Sequence, residues 1–185
     1  MADIYSQKPW LRNYDKGVAP QLSYEDKTFA EMFAETVKQY PDKTALIYLD
    51  VKITFKEVDA LANKLAQYLL KCGLKPNDVV GLHMPNIPAH YISVIAVQKA
   101  GCISTGLSPL LTPTEMAHQL TDSGTKMIIT VDVLFDKIAE VADKASFNTV
   151  IVSEIADFLP GIKKVLGKLL KKYPPATSFR SKGKL

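Results

Sequence analysis

The chain has 185 residues, 47% of them hydrophobic, with 23 basic and 19 acidic side chains and a formal charge of +4. That length suits one domain, or one and part of a second, and allows a real core. The charge surplus is too mild for a nucleic-acid-binding protein, which needs a concentrated basic face. Cys72 and Cys102 are the only cysteines, which argues against a disulfide framework or a zinc site and fits a reducing cytoplasm. Met1–Tyr5 lacks the basic flank and apolar core of a signal peptide. The most apolar stretch, Ile87 to Leu107, contains His90, Gln98 and Lys99 and reads as a buried helix followed by a strand rather than a membrane span.

Taken in order, residues 1–25 show no period and read as an extended arm carrying Trp10, Leu11, Tyr14 and Leu22. Thr28 and Glu31 have capping-box spacing and open a first helix with the stripe Phe29, Met32, Phe33 and Val37; Pro41 limits its end. Thr44–Leu49 reads as a strand, Asp50 starts a tight connection, and Lys52–Thr54 is a short return strand. Thr54 and Glu57 repeat the capping-box spacing, and Val58, Leu61, Ala62, Leu65 and Leu69 mark the buried face of a second helix. Gly73 ends it in a left-handed turn. Val79–His83 is a strand; Asn86 caps the next helix, with Pro88 in its first turn and Gly101 at its stop. Cys102–Gly106 is a short strand. Thr112-Pro113-Thr114-Glu115 is the clearest helix start in the chain, and Ser123-Gly124 closes that helix. Lys126–Thr130 is a strand, Asp132 caps a helix carrying Leu134, Ile138 and Val141, and Thr149–Val152 is a final strand.

Strands and helices thus alternate from residue 44 to residue 153 with short connections. The strands are apolar throughout, as strands buried on both faces are. The expected fold class is α/β, a mostly parallel sheet flanked by helices. The expected organisation is an arm over 1–25, an α/β subdomain over 26–153, and a basic tail over 154–185.

Several chemistries are excluded. No Gly-x-Gly-x-x-Gly follows the first strand, no Gly-rich loop ends in Gly-Lys-Ser/Thr, and no Gly-x-Ser-x-Gly elbow occurs. His83, His90 and His118 have no metal-site spacing. His83 is expected in a strand near the sheet edge or end, and His90 and His118 in helices. Glu31, Glu57 and Glu115 are occupied by capping. We therefore assign no catalytic, cofactor-binding or metal-ligating residue.

What the sequence does carry is an ordered set of blocks. Ile53-Thr54-Phe55-Lys56-Glu57-Val58 resembles the first conserved block of the adenylate-forming superfamily, which includes acyl-CoA synthetases, luciferases and adenylation domains. Lys75-Pro76-Asn77-Asp78-Val79-Val80 resembles that family's Gly-Asp-x-Val strand entry, with Asn77 in place of glycine. Met84-Pro85-Asn86-Ile87-Pro88 is similar to its Pro-Asn-x-x-Glu helix start, and Val97-Gln98-Lys99-Ala100-Gly101 to its Leu-Lys-Ala-Gly core. Leu107-Ser108-Pro109-Leu110-Leu111-Thr112-Pro113 looks like the Asn-Pro-Leu-Tyr-Thr-Pro run of the long-chain fatty acyl-CoA ligase branch, with Gly106 where proline is common and Ser108 where asparagine is. The resemblance covers about residues 25–153.

It implies the amino-terminal subdomain of an acyl-CoA ligase. In the parent enzyme a fatty carboxylate attacks the α-phosphate of ATP to give an acyl-adenylate and pyrophosphate, and coenzyme A then takes the acyl group and releases AMP. ATP, Mg2+ and CoA are thus implied for the parent, with none expected to bind the fragment tightly. The phosphate loop, the adenine and magnesium blocks and the family's lysine are all expected beyond residue 185. Within the fragment the blocks read as scaffolding: Lys99 offsets a helix dipole or, in a second reading, meets ligand or the remaining protein.

The tail adds a second theme. Ile162, Val165, Leu166, Leu169 and Leu170 recur at i, i+3, i+4, i+7 and i+8, with lysines opposite. Residues 162–172 are expected to form a surface helix packed on its own protein. Peripheral contact with an anionic membrane and docking on the rest of the enzyme are the alternatives. A homodimer and a cytoplasmic location complete the partner expectations, with no nucleic acid. Two rival functions stay open: an aryl- or medium-chain-CoA ligase or adenylation domain, and a small non-enzymatic α/β protein that binds a partner or membrane.

Overall fold

A computed structural model describes residues 3–158. The segment 162–172 lies outside them. Near the start, the Asp3 carboxylate accepts the Tyr5 N–H at 3.0 Å and sets a single turn, α1 (Ile4–Gln7). A 3-10 turn follows at Pro9–Asn13, so the arm is not wholly extended. Its remaining residues run exposed to α2 (Phe29–Gln39).

The expected capping boxes form at every one of the three places. The Thr28 hydroxyl accepts the Glu31 N–H at 3.2 Å while the Glu31 carboxylate accepts the Thr28 N–H at 2.7 Å. Thr54/Glu57 and Thr112/Glu115 repeat this reciprocal pattern at α3 (Phe55–Lys71) and α5 (Pro113–Asp122). Each box satisfies two donors that the first helical turn leaves without partners.

Between α2 and α3, β1 (Thr44–Tyr48) and β2 (Val51–Thr54) pair antiparallel. Their two-residue turn, Leu49-Asp50, has both φ angles positive, at 48° and 71°. This is the backbone twist a tight hairpin demands. The pair forms a separate ribbon, outside the main sheet.

The main sheet has the order β4-β3-β5-β6, every pair parallel. Its strands are β3 (Val79–His83), β4 (Ile103–Gly106), β5 (Thr125–Val131) and β6 (Thr149–Ser153). From β3 the chain passes through α4 (Pro88–Lys99) to β4 on one side, then returns through α5 to β5 on the other. Right-handed crossovers in opposite directions place α4 and α5 on opposite faces. The two cores follow. Val80, Leu82, Met127 and Ile129 pack with α3 and α4, whereas Ile128 packs with Leu107, Met116, Leu120 and Ile138 on the other face. The alternation of Met127, Ile128 and Ile129 between the cores is the two-residue period of a strand. Ile138 belongs to α6 (Phe135–Ala139), a single short helix reached by a 3-10 turn from β5.

Four local expectations are corrected. In α2, Phe29 and Met32 are exposed, and only Phe33 and Val37 turn inward; the Phe33 ring meets Phe55 of α3 at 6.2 Å. In α3, Leu61 is 40% exposed and Ala66 is buried in its stead, because α4 and the sheet approach the Val58–Ala62–Ala66–Leu69 line. Asn86 does not cap α4: with Pro88 at the first helical position the cap falls on Ile87, which has no side-chain acceptor. Asp132 accepts the N–H groups of Val133 and Ile155, at 2.9 and 3.3 Å, and so ties the turn after β5 to the turn after β6 rather than capping a longer helix.

Asn77 has a φ of 68°, which explains how it replaces a glycine: asparagine enters the left-handed region more easily than other side chains. Its N–H reaches the Gly101 carbonyl at 2.8 Å and locks the entry of β3 to the exit of α4.

Gly81 sits at the middle of β3, where a Cβ would lie 2.9 Å from Leu107 Cδ1 and 3.3 Å from Thr125 Cγ2. Leu107 is itself buried and has little room to yield. Gly81→Ala is therefore expected to destabilise the fold by about 1–3 kcal/mol through overpacking. Urea unfolding should show a lower midpoint with an unchanged slope. An unchanged midpoint would show that the second core has slack at this layer.

Candidate functional site

In an open parallel sheet, ligands bind beyond the carboxyl ends of the strands, where successive connections leave in opposite directions. Here that switch lies between β3 and β5. The side chains at its rim are His83, the last residue of β3, and Thr130, its register partner on β5.

His83 is fully buried. Its Nδ1 lies 3.1 Å from Thr130 Oγ1, and the Thr130 hydroxyl lies 2.9 Å from the His83 carbonyl oxygen. The hydroxyl has one proton, which it gives to the carbonyl. It must then accept from Nδ1, so the imidazole carries its proton on Nδ1 and leaves Nε2 as a bare acceptor. Among the described residues nothing donates to Nε2. Burial, with the Lys137 ammonium adding to it, pushes the His83 pKa down to about 4. The ring is neutral at physiological pH. It can accept a hydrogen bond but has no acidic proton to give.

Loops converge around this pair. Lys137 of α6 donates to the Pro109 carbonyl at 2.6 Å and holds the loop after β4 against the α6 side of the sheet. Within that loop the Leu110 N–H donates to the Ser108 hydroxyl at 3.2 Å, and Leu110 itself stands 89% exposed. On the β3–α4 side, His90 stacks edge-on against Tyr91, and burial lowers its pKa. Its Nδ1 is likewise buried without a partner among the described residues.

The other polar clusters are structural. Lys99 is held by Asp59 Oδ1 and Asn63 Oδ1 of α3, both at 2.7 Å, and so clamps α4 to α3. At the amino end of the sheet, a cleft of about 210 Å³ is lined by Cys72, Asp78, Lys126 and Asn148. Its charges are already matched: Lys126 meets Asp78 at 2.6 Å, and this contact with the Lys75 N–H draws the Asp78 carboxyl below its ordinary range. No group of three or more His, Cys, Asp or Glu side chains able to hold a metal occurs among the described residues. No helix among them is long and apolar enough to cross a membrane.

The sequence locates His83 at a strand end, as found. It does not reveal that the strand is central rather than at an edge, or that Thr130, 47 residues on, supplies its partner. The one available signal was a threonine inside the otherwise apolar run Met127–Val131.

Comparison with known proteins agrees with this architecture. The profile of the AMP-binding enzyme family matches residues 33–176. The long-chain-fatty-acid–CoA ligase of Bacillus subtilis (strain 168) is 34% identical over 169 residues, covering 91% of this chain and 30% of the relative. The crystal structure of a long-chain-fatty-acid-CoA ligase from Archaeoglobus fulgidus superposes with a TM-score of 0.68 at 21% identity, over 72% of this chain and 29% of that one. A benzoate CoA ligase from Burkholderia xenovorans LB400 superposes with a TM-score of 0.65 at 24% identity, over 69% and 26%. At those identities the two structures establish a common fold. The chain belongs to the AMP-binding enzyme family, the adenylate-forming ligases. It spans about a third of the length of the curated relatives it matches.

The neutral state of His83 makes a pH prediction. Its folded pKa lies below the ordinary value near 6.5, so the unfolded chain binds more protons between the two values. Stability is then complete above about pH 6.5 and falls as the pH drops toward about 4. His83→Gln cannot titrate yet keeps a donor for Thr130. The variant should show a flatter decline in melting temperature over this window. Identical slopes in the two proteins would mean that His83 is not the titrating group.

Proposed function

We propose that this chain is the first α/β subdomain of a long-chain fatty acid–CoA ligase, which activates a fatty acid with ATP as an acyl-adenylate and passes the acyl group to coenzyme A. The observation that carries the reading is the likeness to the Bacillus subtilis ligase along 91% of the chain. The run Leu107–Pro113, which resembles the long-chain branch, supports it. An aryl-CoA ligase is the second reading; the benzoate ligase supports it only through the fold.

The role of this chain in that reaction is to build and position. The tie of Lys137 to Pro109 fixes the loop after β4 at the carboxyl end of the sheet, while the α3–α4 clamp through Lys99 and the lock between Asn77 and Gly101 hold the elements that enter β3 and β4 at its amino end. The described residues offer no ligand set for magnesium and no Gly-rich phosphate cradle, so they do not fit either group. We derive no step through them on this chain. Phosphate, adenine and metal contacts belong, on this reading, to the part of the ligase beyond residue 185. The cytoplasm is the expected setting.

Adenylation is reversible, so fatty-acid-dependent exchange of labelled pyrophosphate into ATP reports the first step alone. The 185-residue chain should show none with palmitate. The full gene product should exchange with palmitate and not with benzoate. Exchange by the 185-residue chain would overturn the scaffold role, and a benzoate preference in the full product would favour the aryl reading.

A further inference from the structure

The exposure of Leu61 leaves an apolar groove open between β2 and α3. Its volume is about 670 Å³, and Val51, Ile53, Ala60, Leu61 and Phe158 line it. Leu61 follows the apolar spacing of its helix yet is 40% exposed, so this face of α3 has no cover among the described residues. Lys52, Glu57 and Asp157 stand along the same groove. Phe158, on its wall, is the last described residue.

We propose that this groove seats the chain's own segment 162–170 through Ile162, Val165, Leu166, Leu169 and Leu170. Two observations converge on that occupant. The first is reach: Ile162 follows Phe158 by four residues, so even an extended link keeps it within about 14 Å of the groove wall. A tether that short gives the segment a high effective concentration at the groove, which a second copy or another partner lacks. The second is shape of pattern: the five apolar residues recur at helical spacing and so make one stripe, the form that fills an apolar groove. Seated in this way, the segment removes apolar surface from water on both sides and turns its lysines outward. The proposal is independent of the ligase reading.

The test uses the 185-residue chain in a Cys72→Ser background, which leaves only the buried Cys102. Leu61→Cys is combined either with Leu166→Cys, on the apolar stripe, or with Lys164→Cys, on the lysine face. Mild oxidation should close an intrachain disulfide about tenfold faster in the first pair than in the second, because only the first pair is held face to face. Equal rates overturn the proposal, as does a rate that rises with protein concentration, which would assign the groove to a second copy. A second measurement needs no substitution. At physiological ionic strength the unaltered chain should stay in the supernatant when vesicles of phosphatidylserine and phosphatidylcholine are spun down. Pelleting with the vesicles would mean that the stripe is on lipid rather than in the groove.

Discussion

Everything in this fold follows from the parallel pairing of β3 with β5. Between those strands the chain first goes out to β4 and then crosses back over β3, so the two crossovers lie on opposite faces of the sheet. That single reversal gives β3 a neighbour on each side and layers above and below. It requires Gly81 where Leu107 presses close, and it brings His83 and Thr130 together at the strand ends. It also divides the apolar residues of β5 between two cores. A run such as Met127–Val131, apolar but for Thr130, is tolerable only in a strand covered on both faces.

Several polar groups outside that pair hold elements in place. Three carboxylates close capping boxes, in which their helix-start N–H and hydroxyl partners draw Glu31, Glu57 and Glu115 below the usual carboxylate range. Lys99 and Lys126 are bound to carboxylates, and Lys137 to a carbonyl. A domain whose charged side chains are occupied in this way is suited to carrying loops at fixed positions. That agrees with the proposed division of labour, in which the remaining two thirds of a ligase would bring the groups that meet phosphate.

Local chemistry was readable in the sequence; non-local chemistry was not. The capping boxes, the left-handed Gly73 and the limits of β3 depend on residues a few positions apart, and the structure has them where the spacing puts them. The exposed side of α2, the partner of His83 and the outward turn of Leu61 depend on which neighbour arrives from far along the chain. Helical periodicity marks the apolar residues of a helix but does not say which of them a neighbour covers, so Leu61 and Ala66 could not be told apart. Likewise Asn86 has the right chemistry for a cap, and it loses the place to Ile87 because Pro88 fixes the first turn. The resemblance blocks located the family and not a site. Several of the residues that make those blocks recognisable are turn and cap residues, such as Thr54, Glu57, Asn77 and Gly101.

The measurement that tests the account most directly is the size of the native gene product, detected in its source organism with an antibody against residues 3–158 and confirmed by mass spectrometry. The account predicts a polypeptide about three times the length of this chain, in keeping with the 30% share of the Bacillus subtilis ligase that it matches. A native product that ends near residue 185 would contradict the ligase reading despite the family likeness, and would leave partner or membrane binding as the function to be explained.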